Sequence, residues 1–235
     1  MSKGRPRDLS GAVVIVAGST GVLGGGIAQR LDERGARLVL LGRDEARAPS
    51  VRDGVPVMGD LRDDDMAQRA VEAATSRFGR LDGVVNAAGV VAFGPLEALD
   101  DAVLDEMFAV NTIGPLRLLR AAVPHLEDGF IVNLSAIVAD MPTANMLAYS
   151  ASKAALSAAS TALRLELRRR RVSVLDVRPP HADTGLDERP IAGHAPKLPA
   201  GLPPSVVADR IVAAIESGET DLPSEAFVRQ QRRAG

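Results

Sequence analysis

Six short apolar runs, separated by longer helical stretches, constrain this chain more than any other feature. Residues 12–17 read Ala-Val-Val-Ile-Val-Ala, 37–41 Arg-Leu-Val-Leu-Leu, 55–58 Val-Pro-Val-Met, 81–85 Leu-Asp-Gly-Val-Val, 130–134 Phe-Ile-Val-Asn-Leu and 172–177 Val-Ser-Val-Leu-Asp-Val. Such short runs without strict alternation suit strands buried on both faces of a parallel sheet. Helical patterns fill residues 25–34, 64–78, 99–126, 147–169 and 204–217, with 220–227 a candidate last strand. Steady alternation of strand and helix predicts an α/β fold: a Rossmann-like, doubly wound parallel sheet in three α/β/α layers. No linker divides the 235 residues, so 1–235 reads as a single domain, with the polar ends 1–10 and 229–235 as loose tails.

Between the first strand and the first helix stands Gly18-Ser19-Thr20-Gly21-Val22-Leu23-Gly24. A glycine turn in that place lets a pyrophosphate approach the backbone and meet the N–H groups of a helix N-terminus, which makes it a dinucleotide site in outline. The spacing is G-x-x-G-x-x-G, not the usual G-x-G-x-x-G. The second run closes on Gly42-Arg43. An acidic residue there would hold the adenosine ribose, whereas an Arg accommodates a 2′-phosphate, so Gly42 and Arg43 favour NADP over NAD. Asp44 turned toward the ribose is the alternative. The third run ends at Gly59-Asp60-Leu61, and the fourth at Asn86-Ala87-Ala88-Gly89, where small residues allow backbone contact with a cofactor.

Residues 147–169 hold no Gly or Pro and are rich in Ala and Leu, which predicts a helix. Tyr149 and Lys153, four apart, share a face of it. An ammonium beside the phenol stabilises the phenolate. Bringing a tyrosine from about 10 to about 7 to 8 takes roughly 3 to 4 kcal/mol, and a Tyr so tuned is a general acid/base. Upstream, Gly114-Pro115 interrupts the long helical pattern that contains Asn111, and a Pro there should kink the helix and free a carbonyl. Seven of fifteen prolines fall between Pro179 and Pro204, so 181–204 reads as a long irregular loop that covers the substrate.

A formal charge of −2, with the charges interspersed, gives no reason to expect nucleic acid or a membrane as partner. Cysteine is absent and His125, His181 and His194 are scattered, so no metal is expected. No apolar run reaches membrane-spanning length and no export segment is recognised, which leaves a cytoplasmic location as the expectation. Arg168 to Arg171 reads as a solvated helix end and Asp63-Asp64-Asp65 as a helix cap.

In this order the motifs resemble those of the short-chain dehydrogenase/reductase family, from about Gly11 to Ile215. The turn Gly18, Gly21, Gly24 is similar to the form in the family's extended members, and Val22 stands where the single-domain form has its middle glycine. Asp60-Leu61 resembles the pair that holds the adenine, and Asn86-Ala87-Ala88-Gly89 the family's Asn-Asn-Ala-Gly. Asn111 matches the helix Asn whose carbonyl binds a relay water. Tyr149 and Lys153 match the acid/base Tyr and the Lys that lowers its pKa and bonds the nicotinamide ribose. Pro179-Pro180-His181-Ala182-Asp183-Thr184 resembles the Pro-Gly turn and Thr that grip the nicotinamide.

The family's substrate-binding Ser falls at Ala136. Ser135 stands one residue earlier and reaches the site only if the strand end bends, since neighbouring side chains in a strand face opposite ways. The resemblance implies an NADP-preferring oxidoreductase acting on a small-molecule carbonyl or secondary alcohol, with Tyr149, Lys153, Asn111 and Ser135 as catalytic candidates. It also implies a homodimer or homotetramer seamed along the helix 147–169. An epimerase or dehydratase, or an NADP-binding protein without turnover, are the alternatives.

Overall fold

A computed structural model describes residues 5–227. Seven parallel strands lie in the order β3-β2-β1-β4-β5-β6-β7: β1 Val13–Ala17, β2 Arg37–Gly42, β3 Gly54–Met58, β4 Gly83–Asn86, β5 Phe130–Leu134, β6 Ser173–Val177 and β7 Asp221–Leu222. Strand order reverses beside β1, where β2 lies on one flank and β4 on the other, and ligands of open α/β sheets bind at such a switch point. Helices α1 Val22–Glu33 and α6 Pro204–Ser217 cover one face, whereas α2 Met66–Phe78, α4 Gly114–Ala122 and α5 Leu147–Glu166 cover the other.

The strand alternation sorts the core between these layers. Val14 and Val16 pack with Ile27, Leu31 and Ile211, while Val13 and Ile15 pack with Met66, Ala70 and Leu118. Each such fully buried Val, Ile, Leu or Met side chain contributes about 1.5 to 3 kcal/mol. Toward the carboxyl ends of β4, β5 and β6 the pattern on the α5 face turns polar: Asn86, Asn133, Ser135 and Asp176 are all buried there. Asn86 donates to Asn133, and Asn133 to Ser160 of α5.

Several expectations need correction. The first helix starts at Val22, within the glycine turn, because Gly24 packs on that turn: a Cβ on Gly24 would stand 2.2 Å from the Gly18 carbonyl oxygen. The stretch 99–126 is α3 Asp101–Phe108, a π-turn Ala109–Ile113, α4 and a 3-10 turn Val123–His125. Gly114 donates back five residues to Ala109, so the freed turn expected from Gly114-Pro115 takes the form of a wider helical turn. The last strand is confined to Asp221–Leu222, because Pro223 has no N–H to continue the ladder. Asp65 holds the N-cap position of α2 without a side-chain bond to it, and Asp63 instead accepts from the Asp60 N–H. Residues 5–10 are not a loose tail: Leu9 is buried, and Arg7 donates to the carbonyls of Asp128 and Gly129. The expectation for 229–235 lies outside the described residues. Among the described residues no helix is long and apolar enough to cross a membrane.

Candidate active site

The site forms where the glycine turn meets the ends of β4 and β5. Gly18 takes φ +80°, and a Cβ there would stand 2.6 Å from the Ala88 nitrogen, so only glycine lets the turn close on Ala87 and Ala88. Ser19 is buried and its hydroxyl donates to the Leu41 carbonyl, tying the turn to β2. Gly21 is the N-cap of α1 and offers no side chain to its first N–H groups, leaving them for an anion. Leu23 packs against the α1 core, while Val22, 42% exposed, stands at the turn's surface. These residues fit the pyrophosphate of a dinucleotide.

At the adenosine end the structure redistributes two roles. The space at Gly42 is filled by Thr20, whose Cγ2 would lie 2.4 Å from a Cβ, so the missing side chain serves the turn and not a 2′-phosphate. Asp44 accepts from the Ala46 N–H and caps a 3-10 turn, which takes it away from the ribose. Arg43 is exposed, and its charge acts on Asp60. Asp60 itself is bound by Arg62 at 2.8 Å, a hydrogen bond that holds its carboxyl below the ordinary range. Leu61 is buried against Gly114, where a Cβ would meet its Cγ at 2.8 Å.

Asn111 lies in the π-turn and is fully buried. Its side-chain oxygen accepts from the Val90 N–H, and its Nδ2 donates to the Val90 carbonyl and to Ser152 Oγ, binding the loop after β4 to α5. Its own carbonyl cannot be satisfied by the residue four positions on, because that residue is Pro115. Ser152 is a site-organising residue the sequence reading missed, and its place between Tyr149 and Lys153 carries no signal by itself.

Tyr149 is partly buried and packs with Phe93, Ala136, Val138, Met146 and Leu186. The Lys153 ammonium lies 5.9 Å from the centre of its ring and donates to the Leu134 carbonyl at 2.9 Å. The expected lowering of the phenol pKa does not appear in this arrangement: burial pushes Tyr149 up to about 12 and Lys153 down to about 8. Desolvation disfavours each charged form more than the ammonium at this separation favours the phenolate.

Ser135 is corrected as a substrate donor. It is 4% exposed, and its hydroxyl is engaged by Asp176 Oδ1 at 2.6 Å and the Val177 carbonyl at 3.0 Å. Ala136, in the extended conformation, is the residue that packs beside Tyr149. Two further residues were missed: Asp176, and Arg178, which binds Asp176, Asp140 and Asp221. A charged residue inside the apolar run 172–177 was the available signal.

Pro179 accepts from the Ile137 N–H, which sets the 179–184 turn against the loop that follows Ala136. Ala182 bridges to Leu202, and Thr184 accepts weakly from the Leu186 N–H. The irregular loop after it docks on the site by an Ala92–Ala192 bridge, with Ile191 and Ala192 packed against the cluster that holds Tyr149.

Comparison with known proteins agrees with this architecture. Residues 12–192 match the family described as short chain dehydrogenase. Ipsdienol dehydrogenase of Ips pini is 32% identical over 197 residues, covering 77% of this chain and 78% of its own. A short chain dehydrogenase from Burkholderia cenocepacia, solved in complex with NADP, is 29% identical at TM-score 0.83, covering 97% of this chain and 94% of that one. One from Burkholderia phymatum, solved with NAD, shares the fold at TM-score 0.84 and 22% identity, covering 97% and 93%. On the strength of that match and of the parallel sheet that carries its site, the chain belongs to the short-chain dehydrogenase/reductase family of NAD(P)-linked oxidoreductases, which act between CH–OH and C=O.

Proposed function

We propose that this protein is an NADP-preferring reductase or dehydrogenase of small apolar ketones and secondary alcohols, with Tyr149 as its acid/base. The observation that carries the reading is the meeting of Tyr149 and Lys153 with Gly89, Asn111 and the glycine turn at the carboxyl ends of the central strands. A Cβ on Gly89 would stand 3.3 Å from both Lys153 Nζ and Asn111 Oδ1. The cofactor would be held by Gly18, Ser19, Thr20, Gly21, Val22, Leu23, Arg43, Asp60, Leu61, Asn86, Ala87 and Ala88, with Pro179, Ala182 and Thr184 at the nicotinamide end. Its nicotinamide supplies or takes the hydride. Tyr149 holds the exchangeable proton at its phenol oxygen and delivers it to the carbonyl oxygen. Lys153 orients the ribose, and the Asn111 carbonyl holds a relay water. Val91, Phe93, Val138, Met146 and Leu186 around Tyr149 exclude water and favour an apolar substrate. Following NADPH loss with a panel of aliphatic and cyclic apolar ketones tests it, and no turnover on any of them would overturn it. Ala136 favours a second reading, binding of NADPH without turnover, and the same assay decides between the two.

NADPH is expected to bind more tightly than NADH through Arg43. Because Arg43 is exposed and screened, Arg43→Ala should cost about 1.5 kcal/mol, roughly tenfold in NADPH affinity, and leave NADH affinity unchanged. Fluorescence titration of both cofactors checks this. Equal affinities in the wild type would end the argument.

A homodimer or homotetramer is the proposed assembly. Leu147 (50% exposed) and Leu165 (74%) bracket Ala151, Ala158 and Ala162 on the outer side of α5. An apolar stripe of this length suits a second helix at close approach. Light scattering at micromolar concentration should give at least a dimer, and Ala158→Arg should give a monomer. A monomeric wild type refutes the assembly.

A further inference from the structure

A buried acid lies under the helical turn that carries Lys153, and the proton-transfer scheme makes no use of it. Asp176 is 1% exposed within β6. Both its oxygens are engaged: Ser135 Oγ donates to Oδ1 at 2.6 Å, and Ser157 Oγ and Arg178 Nη1 donate to Oδ2 at 2.5 Å each. An apolar residue would fill this strand position without any of these partners, so packing alone does not account for the cluster.

Asp176 is held from both sides of Lys153: by Ser157, one turn further along α5, and by Ser135, which follows the Leu134 whose carbonyl accepts from Lys153. Lys153 is itself 4% exposed. Burial drives its pKa down to about 8, and Asp176 is the charge that opposes the fall. The other groups facing it are the Tyr149 ring from α5, the Leu134 carbonyl from β5 and the uncharged Asn111 from the π-turn. Arg178 stands behind the carboxylate but does not cancel it, because it also binds Asp140 at 2.5 Å and Asp221 at 2.7 Å.

We propose that Asp176 is a positioning residue: it is the counter-charge that holds Lys153 as an ammonium ion on the Leu134 carbonyl, at a place fixed by Ser135, Ser157 and Arg178. The same cluster ties the loop after Ala136, through Asp140, to β6 and to β7. The inference rests on Lys153 being the partner of Tyr149, yet its test needs no turnover.

The chain has three lysines, Lys3, Lys153 and Lys197, so lysine labelled with carbon-13 at Cε gives three resolvable NMR signals. Loss of one signal in Lys153→Arg assigns it. In the wild type Lys153 should be charged at neutral pH. Asp176→Asn should move its titration midpoint down by about one pH unit, a tenfold change, as expected for an opposite charge without direct contact. Arg178→Gln should move it up, since the carboxylate then acts on Lys153 alone. An unmoved midpoint in a folded Asp176→Asn variant overturns the proposal. Should that variant not fold, an unmoved or lowered midpoint in Arg178→Gln overturns it equally. With a carbonyl substrate, the pH at which kcat declines should follow the NMR midpoint. A lower kcat on an unshifted profile would make Asp176 merely structural. Absence of wild-type turnover would refute the oxidoreductase reading and leave the NMR result standing.

Discussion

Tyr149→Phe is expected to lower carbonyl reduction by roughly a thousandfold, within the range for losing a positioned general acid, while NADPH affinity stays nearly unchanged. The phenylalanine fits the same apolar contacts with Phe93, Val138, Met146 and Leu186, so the loss isolates the hydroxyl. The pH profile should carry a second signature. With Tyr149 pushed up to about 12 and Lys153 down to about 8, the phenol is protonated and the lysine charged at neutral pH. A tyrosine below its pKa donates, so reduction should be level near neutrality and decline through about pH 8 as Lys153 loses its proton. Alcohol oxidation needs the phenolate and should rise with pH up to about 8, then level as the same lysine loses its proton. Stopped-flow rates in both directions check the two limbs. Oxidation that falls between neutrality and pH 8 would sink the assignment, as would a Tyr149→Phe enzyme of wild-type rate.

The fold was legible because its signals are local. Phe130–Leu134 is bounded in sequence by a glycine and a change in polarity, and the strand lies on those residues. That the helix is disturbed near Pro115 was legible for the same reason, since Pro removes one donor wherever it falls in a helix, but the form of the disturbance, a π-turn over Ala109–Ile113 and not a kink, was not. What failed depended on distant neighbours. Arg178 finds Asp140 and Asp221 only once β6 is paired with β5 and β7, and nothing in residues 172–180 names those partners. Gly42 invited a phosphate in sequence, yet the residue that fills its space, Thr20, comes from another turn. The tyrosine pKa failed in sign because spacing counts the ammonium and does not count burial.

Ala136→Ser is the second large effect expected. Reduction needs donors to the charge developing on the substrate oxygen, and one preorganised donor is worth roughly a hundredfold in rate. Ala136 packs beside Tyr149 in extended backbone, 8% exposed, so a hydroxyl added to its Cβ enters the space around the phenol. Turnover of a good ketone should rise at least tenfold, about 1.4 kcal/mol of barrier. Ser135→Ala is the control. Its hydroxyl is committed to Asp176 and Val177, so its removal should cost about 1.5 to 3 kcal/mol of stability, read by urea denaturation, and lower turnover by less than tenfold, since Ser157 and Arg178 still hold Asp176. A hundredfold loss of turnover in Ser135→Ala, with stability intact, would reverse the two roles. It would mean that the end of β5 rearranges when substrate enters, turning Ser135 from Asp176 toward Tyr149. If instead Ala136→Ser changes nothing in an enzyme that does turn over, the substrate brings its own donor to that oxygen or needs none. Tyr149 would then be the one donor the reaction uses.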